Sequence, residues 1–185
     1  DKEAGRQFCG FTSDKPVLMV IGGSLGAASV NVHIRKILPE LLKAFQVIHL
    51  CGKGKMDETL KGTEGYVQYE YIKEELPDLF ALSDVVISRA GANAICEISA
   101  LHKPNLLIPL SANASRGDQI LNARSFEKQG FSYVIEEEAL SDQTLTDAIH
   151  TVWEKRKDYI HAMESSDQMD AVTTITDLIE KLRKH

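Results

Sequence analysis

Six short runs of β-branched and other apolar residues alternate along the chain with stretches whose apolar positions recur every three or four residues, and this alternation limits the fold more than any other feature. Strands rich in Val and Ile that alternate with amphipathic helices form parallel sheets, because each helix carries the chain back across the sheet to begin the next strand in the same direction. The runs predict strands over 17–21, 47–50, 67–71, 85–88, 105–108 and 133–135. Between the first two, Ala27, Val30, Ile34, Ile37, Leu41 and Phe45 make one helical stripe, in which Pro39 is expected to kink the helix or begin a new turn. Further helices are marked at 79–82, at 120–126 and by Leu145, Ile149 and Val152. The expected class is α/β, a Rossmann-like doubly wound parallel sheet in one domain over 1–185. An entry segment occupies 1–16, and a C-terminal helix at 166–185 is striped by Val172, Ile175, Ile179 and Leu182.

In such a sheet ligands sit beyond the carboxyl ends of the strands, where the strand-to-helix loops converge. The ten residues Ser88-Arg89-Ala90-Gly91-Ala92-Asn93-Ala94-Ile95-Cys96-Glu97 are the most informative of these. They follow the run Asp84-Val85-Val86-Ile87 and lead into a helix in which Ala94, Ile98 and Leu101 recur on one face. A helix start built of small residues exposes backbone N–H groups, and the helix dipole adds partial positive charge, so its natural guest is a phosphate. Glu97, at the edge of the buried face, has the chemistry to accept hydrogen bonds from a diol such as ribose; a local contact at the protein boundary is its plain alternative. Turn and carboxylate together point to a nucleotide site.

The loop Gly22-Gly23-Ser24-Leu25-Gly26-Ala27 has three chemical readings. It fails as a dinucleotide fingerprint, because the spacing is not G-x-G-x-x-G and the second strand ends Leu50-Cys51-Gly52 with no acidic residue for a ribose. It matches the G-x-S-x-G nucleophile elbow letter for letter, with Ser24 at the corner, but only 16 residues precede Val17 where a hydrolase sheet needs several strands. The third reading makes it a backbone anion site with Ser24 near the ligand. Asp118-Gln119-Ile120-Leu121-Asn122-Ala123 opens a later helix; Asp118 suits an N-terminal turn, and Gln119 and Asn122, three apart, share a face suited to sugar hydroxyls.

Composition narrows the function. A net charge of −6 argues against a nucleic-acid binder, which needs clustered cations. Cys9, Cys51 and Cys96 are odd in number and far apart, so neither a disulfide framework nor a zinc site is expected, and a reducing cytoplasm fits best. The six histidines, His33, His49, His102, His150, His161 and His185, have no metal spacing, and no Asp-x-Asp pair is present, so no metal cofactor is expected. No run approaches the roughly 18 apolar residues of a membrane span. With Asp1 in place of Met at its start, the chain reads as part of something longer.

Gly22-Gly23-Ser24-Leu25-Gly26-Ala27, then Ser88-Arg89-Ala90-Gly91 through Glu97, then Gln119-Ile120-Leu121-Asn122-Ala123 agree in order and spacing with one family. In these motifs, and from about Phe8 to the last helix, the sequence resembles the donor-binding C-terminal half of the MurG-type N-acetylglucosaminyl transferases of bacterial peptidoglycan synthesis, which have the two-domain GT-B fold. The resemblance implies that Ser24 lies near the donor across the interdomain cleft, with Gly23 and Gly26 in its loop, and that the backbone at Ile72 reads uracil. It implies further that Ala92, Asn93 and Ala94, entered through Gly91, hold the diphosphate, that Glu97 holds the ribose, and that Gln119 binds N-acetylglucosamine hydroxyls beside Asn122. Asp118 departs from the Gln or His common at its position.

The implied reaction is inverting transfer of GlcNAc from UDP-GlcNAc to lipid I, giving lipid II, by a protein peripheral on the cytoplasmic face of the cell membrane. The catalytic base, the acceptor site and the membrane patch are expected in an N-terminal domain outside this chain, which alone is expected to be inactive. Three other functions remain open from sequence. They are a separate donor subunit of a two-subunit lipid-linked GlcNAc transferase, another GT-B enzyme such as a UDP-GlcNAc 2-epimerase, and a serine hydrolase acting through Ser24.

Overall fold

The computed structural model describes residues 1–23 and 28–183; within its last helix the side chains at 168, 169, 171–174, 177, 178, 182 and 183 lie outside that description. Six parallel strands, β1 (Val17–Ile21), β2 (Gln46–Leu50), β3 (Tyr66–Tyr69), β4 (Val85–Ser88), β5 (Asn105–Leu107) and β6 (Tyr133–Val134), lie in the order β3-β2-β1-β4-β5-β6. The chain works outward from β1 to β3, returns to lay β4 on the other side of β1, and continues outward. The strand order therefore reverses between β1 and β4, which is where a doubly wound sheet opens a crevice.

Parallel strands covered on both faces are expected to be largely apolar, and here the exceptions include the buried Gln46, His49, Ser88 and Asn105. Leu18 and Val20 of β1 and Val85 and Ile87 of β4 meet Val30, Ile34, Ile37, Leu38 and Leu41 of helix α2 (Ala28–Ala44) and Leu145, Ala148, Ile149 and Val152 of α7 (Asp142–Glu154). On the opposite face Val17, Met19 and Val86 meet Leu79, Phe80 and Leu82 of α3 (Leu76–Leu82) and Ile98 of α4 (Ala92–Ala100). A smaller cluster joins Ile95 of α4 to Leu107, Val134 and Ala123 of α6 (Asp118–Lys128), which follows the single turn α5 (Ala112–Ser115).

Four local expectations change. Of the two outcomes expected at Pro39, a new start is excluded: α2 is one helix through to Ala44, with Ile37, Leu38 and Leu41 buried on either side of the ring. That burial offsets the hydrogen bond the imide cannot donate. Leu101 leaves the core face, since α4 ends at Ala100 and Leu101 stands at its C-cap, 46% exposed; Ile95 and Ile98 form that face instead. The C-terminal helix α8 (Arg156–Arg183) starts ten residues before 166, and its buried anchor is Met163. Of the expected stripe, Ile175 and Ile179 are half exposed, while the side chains of Val172 and Leu182 lie outside the described residues. Ala27, first in the α2 stripe, lies outside them as well.

The entry segment contains a helix, α1 (Lys2–Cys9). Asp1 caps it by accepting the Glu3 and Ala4 N–H groups at 2.7 and 3.1 Å, and Gly10, at φ 67°, closes it in a left-handed conformation that glycine adopts without strain. A Cβ on Gly5 would stand 2.5 Å from the Asp78 carbonyl oxygen, so only glycine lets α1 lie this close to α3. Phe8 stacks on Tyr69 with ring centroids 5.2 Å apart. Helix α1 thereby braces the α3 side of the crevice from outside.

Candidate nucleotide site

The register of the sheet sets Leu50 and Ser88 level with Ile21, so the loops after β1, β2 and β4 leave from one edge. A cleft of about 510 Å³ opens there, on the α3 and α4 face. Its apolar walls are Ile21, Leu50, Leu76, Phe80 and Ile98, and its rim carries Gly23, Lys53, Glu70, Tyr71, Ile72, Ala94 and Glu97. An apolar cleft with carboxylates on its rim suits a nucleoside. A second hollow of about 500 Å³ opens at the other end of the sheet, beside Phe11, Thr63 and Tyr66, but there the Gln46 amide is already spent on the Ser13 and Lys15 carbonyls.

Of the residues expected at the site, Gly23, Ile72, Ala94 and Glu97 border the cleft. Gly91 is the N-cap of α4 and has no side chain to cap it, so the N–H groups of Ala92, Asn93 and Ala94 begin the helix without an acceptor from that position. Neither backbone nor packing requires Gly91: its φ is −66°, and an added Cβ would meet only Gln119 Nε2, at 3.8 Å. Ala94 and Glu97, three residues apart on one helical face, both border the cleft, so the exposed turn and the carboxylate address the same volume. The Glu97 side chain is exposed and hydrogen-bonds to no described residue. The N–H and carbonyl of Ile72 are likewise unpartnered among the described residues, available to the edge of a base.

Gln119 is half committed. Its Oε1 accepts the Ala90 N–H at 3.2 Å and the Leu110 N–H at 3.0 Å, which leaves its amide NH₂, facing Gly91, as the group able to donate to a ligand. Asn122 donates to the Ala90 carbonyl at 3.1 Å, so its amide NH₂ braces the turn and its Oδ1 is the group left to accept from a ligand. Asp118 is exposed in the first turn of α6, behind Gly117. Gly23, at φ 74°, lies on the cleft, whereas Ser24 and Gly26 lie outside the described residues. Among the described residues no group of three or more His, Cys, Asp or Glu side chains is placed to hold a metal.

Two buried networks escaped the sequence reading. Beneath the loop after β2, the Tyr66 hydroxyl donates to His49 Nδ1 at 2.8 Å, His49 Nε2–H donates to Asn31 Oδ1 at 2.7 Å, and Asn31 Nδ2 donates to the Cys51 carbonyl at 2.8 Å. Burial, helped by the charge on Arg35, pushes His49 down to about 3, and burial pushes Tyr66 up to about 12, so both are neutral at pH 7. The second joins Arg89, 6% exposed, to Glu137 at 2.9 Å and to the Ile108 carbonyl at 3.1 Å. Burial raises the Glu137 carboxyl, but bonds from Ser29 and Arg89, the Arg89 charge and the Ser111 N–H outweigh it and hold it below the usual range. A lone Arg at the end of an apolar strand was the available signal, although nothing local identifies a partner 48 residues away.

Residues 17–182 match the glycosyltransferase family 28 C-terminal domain. Over 183 residues the chain is 62% identical to the UDP-N-acetylglucosamine--N-acetylmuramyl-(pentapeptide) pyrophosphoryl-undecaprenol N-acetylglucosamine transferase of Lachnoclostridium phytofermentans, covering 99% of this chain and 52% of that protein. It is 59% identical over 181 residues to the protein of the same name from Clostridium perfringens strain SM101, covering 98% and 51%. The chain thus spans about half the length of these relatives. In fold it is similar to the crystal structure of Acinetobacter baumannii MurG, with a TM-score of 0.65 at 22% identity over 97% of this chain and 53% of that one. A kitacinnamycin glycotransferase matches in fold with a TM-score of 0.68 at 17% identity, over 90% of this chain and 43% of the other. The chain belongs to glycosyltransferase family 28 and is its C-terminal domain.

Proposed function

We propose that this chain is the UDP-GlcNAc-binding half of an inverting hexosyltransferase that moves GlcNAc onto the C4 hydroxyl of the MurNAc-pentapeptide of lipid I, forming lipid II for the cell wall. The observation that carries the donor assignment is the shared edge of the cleft, where the uncapped start of α4 and the Glu97 carboxylate border one apolar slot. The relatives' printed names support the donor and the acceptor.

In this reading uracil lies along Ile72, the ribose hydroxyls donate to Glu97, and the diphosphate receives the N–H groups of Ala92, Asn93 and Ala94. The Gln119 NH₂ meets the sugar, and Ser24 stands close by. As the glycosidic bond breaks, negative charge grows on the departing diphosphate, and donors already fixed at a helix N-terminus stabilise it without reorganising. The donor needs no metal ion on this account. The acceptor site, the general base and the contact with the cytoplasmic membrane surface belong to the other half of the enzyme. Among the described residues no helix is long and apolar enough to cross a membrane.

Titrating UDP into the isotope-labelled chain tests the placement. Amide shifts are expected at Ile72, at residues 91–97 and beside Gln119. Shifts confined to the hollow near Phe11 and Thr63, or no shifts at millimolar UDP, would refute it.

A further inference from the structure

We propose that Glu137 is a positioning residue for the donor cleft, an inference that rests on the donor-binding reading above. One carboxylate gathers three segments. Its Oε1 accepts the Ser29 hydroxyl at 2.6 Å and Arg89 Nη2 at 2.9 Å, and its Oε2 accepts the Ser111 N–H at 3.3 Å. Ser29 is the second residue of α2, directly after the glycine loop. Arg89 stands two residues before Gly91, and Ser111 is the N-cap of α5, which leads to Gln119. These are the connections after β1, β4 and β5, and Glu137 itself follows β6.

Glu137 does not line the cleft. It lies above the α2 and α7 layer, where Arg89 continues the face of Val85 and Ile87, while the cleft opens on the α3 and α4 face. Its influence on a ligand must therefore pass through the segments it holds. The site's groups sit on separate loops, and loops keep a common geometry only when something ties them together. Only a carboxylate meets this arrangement, because all three partners are donors and both oxygens must accept. Glutamine turns an NH₂ toward one of them, and aspartate is one methylene too short to span the set. An Arg this deeply buried also fixes the carboxylate, since separating the pair strands a charge away from water.

The test compares the wild-type chain with Glu137→Gln, Ser29→Ala and the neighbouring Glu138→Gln, using UDP calorimetry and amide hydrogen exchange. Acting only through packing and hydrogen bonds, Glu137→Gln is expected to weaken UDP about tenfold, about 1.4 kcal/mol. It should also speed exchange together at the start of α2, at 89–94 and at 110–119, while strands β1 and β4 stay protected. Ser29→Ala, which removes one arm and leaves the charge pair, is expected to do so at the start of α2 alone, and Glu138→Gln to change neither quantity. A folded Glu137→Gln chain with wild-type UDP affinity, or with faster exchange only at 135–141, would overturn the proposal. If the wild-type chain binds no UDP, the donor reading fails, and the exchange pattern still decides whether one carboxylate couples the loops.

Discussion

Glu97→Ala is expected to weaken UDP binding about a hundredfold while leaving the melting temperature where it is. Two ribose hydroxyls donating to one carboxylate are charge-assisted hydrogen bonds, together contributing about 3 kcal/mol, which is roughly two decades of affinity. The substitution also removes a negative charge near a bound diphosphate, and the relief of repulsion across solvent is at most about 1 kcal/mol, so the lost bonds win. Stability is untouched because Glu97 is exposed and its side chain hydrogen-bonds to no described residue. Glu97→Gln keeps an acceptor and is expected to lose only about tenfold. Calorimetry with UDP and with UMP separates the ribose contribution from the phosphate contribution. Equal loss of affinity for both nucleotides in Glu97→Ala supports the assignment, and wild-type affinity for both contradicts it.

Arg89→Met is the change expected to cost the fold most. It removes the guanidinium that bonds Glu137 and the Ile108 carbonyl and leaves Glu137 charged at the top of the α2 and α7 layer. Breaking a buried pair by deleting one partner costs about 3–5 kcal/mol; with a quarter of the Glu137 side chain exposed, roughly 2–3 kcal/mol is expected. For a domain of this size that lowers the melting temperature by about 5–10 °C. Acid acts on the same pair. The folded state holds the Glu137 carboxyl below its ordinary value, so its contribution is complete above the unfolded carboxylate pKa of about 4.3 and is lost as pH falls through the lower folded value. The expected result is a wild-type acid transition in that window, from which Arg89→Met has lost the part due to the pair. Melting curves between pH 3 and 7 check both statements, and an unchanged midpoint for Arg89→Met at pH 7 would contradict them.

The sheet was legible because strands buried on both faces are largely apolar, and 17–21 and 85–88 coincide with β1 and β4. Strands β2 and β3 each begin one residue earlier than the apolar runs do, at Gln46 and Tyr66. Both are buried polar residues made acceptable by specific bonds, to the Ser13 and Lys15 carbonyls and to His49, which no periodicity reveals. Helix α1 was missed for a related reason: eight residues with Gly5 among charges carry little helical signal, and what holds them is the fit of that glycine against Asp78. The early start of α8 is hidden by the charged stretch Arg156-Lys157-Asp158, which directly follows Lys155.

At the site, the uncapped turn and the placement of Glu97 followed from spacing alone, since small residues at a helix start and a carboxylate three residues after Ala94 leave little geometric freedom. Gln119 and Asn122 show where spacing stops being informative. Periodicity put them on one helical face, yet one keeps only its NH₂ and the other only its carbonyl oxygen, because α6 packs against the turn after β4. Glu137 was out of reach of any local argument. Its partners come from positions 29, 89 and 111, and only the folded sheet brings them to one carboxylate.

Whether a helix start and a carboxylate hold a UDP-sugar here without a metal ion is decided by calorimetric titration of UDP-GlcNAc into the chain in excess EDTA, then in excess Mg²⁺. Saturable one-to-one binding of the same affinity in both buffers, tighter than that of UDP-GalNAc, is expected. Binding that appears only with Mg²⁺, or none in either buffer, would contradict it.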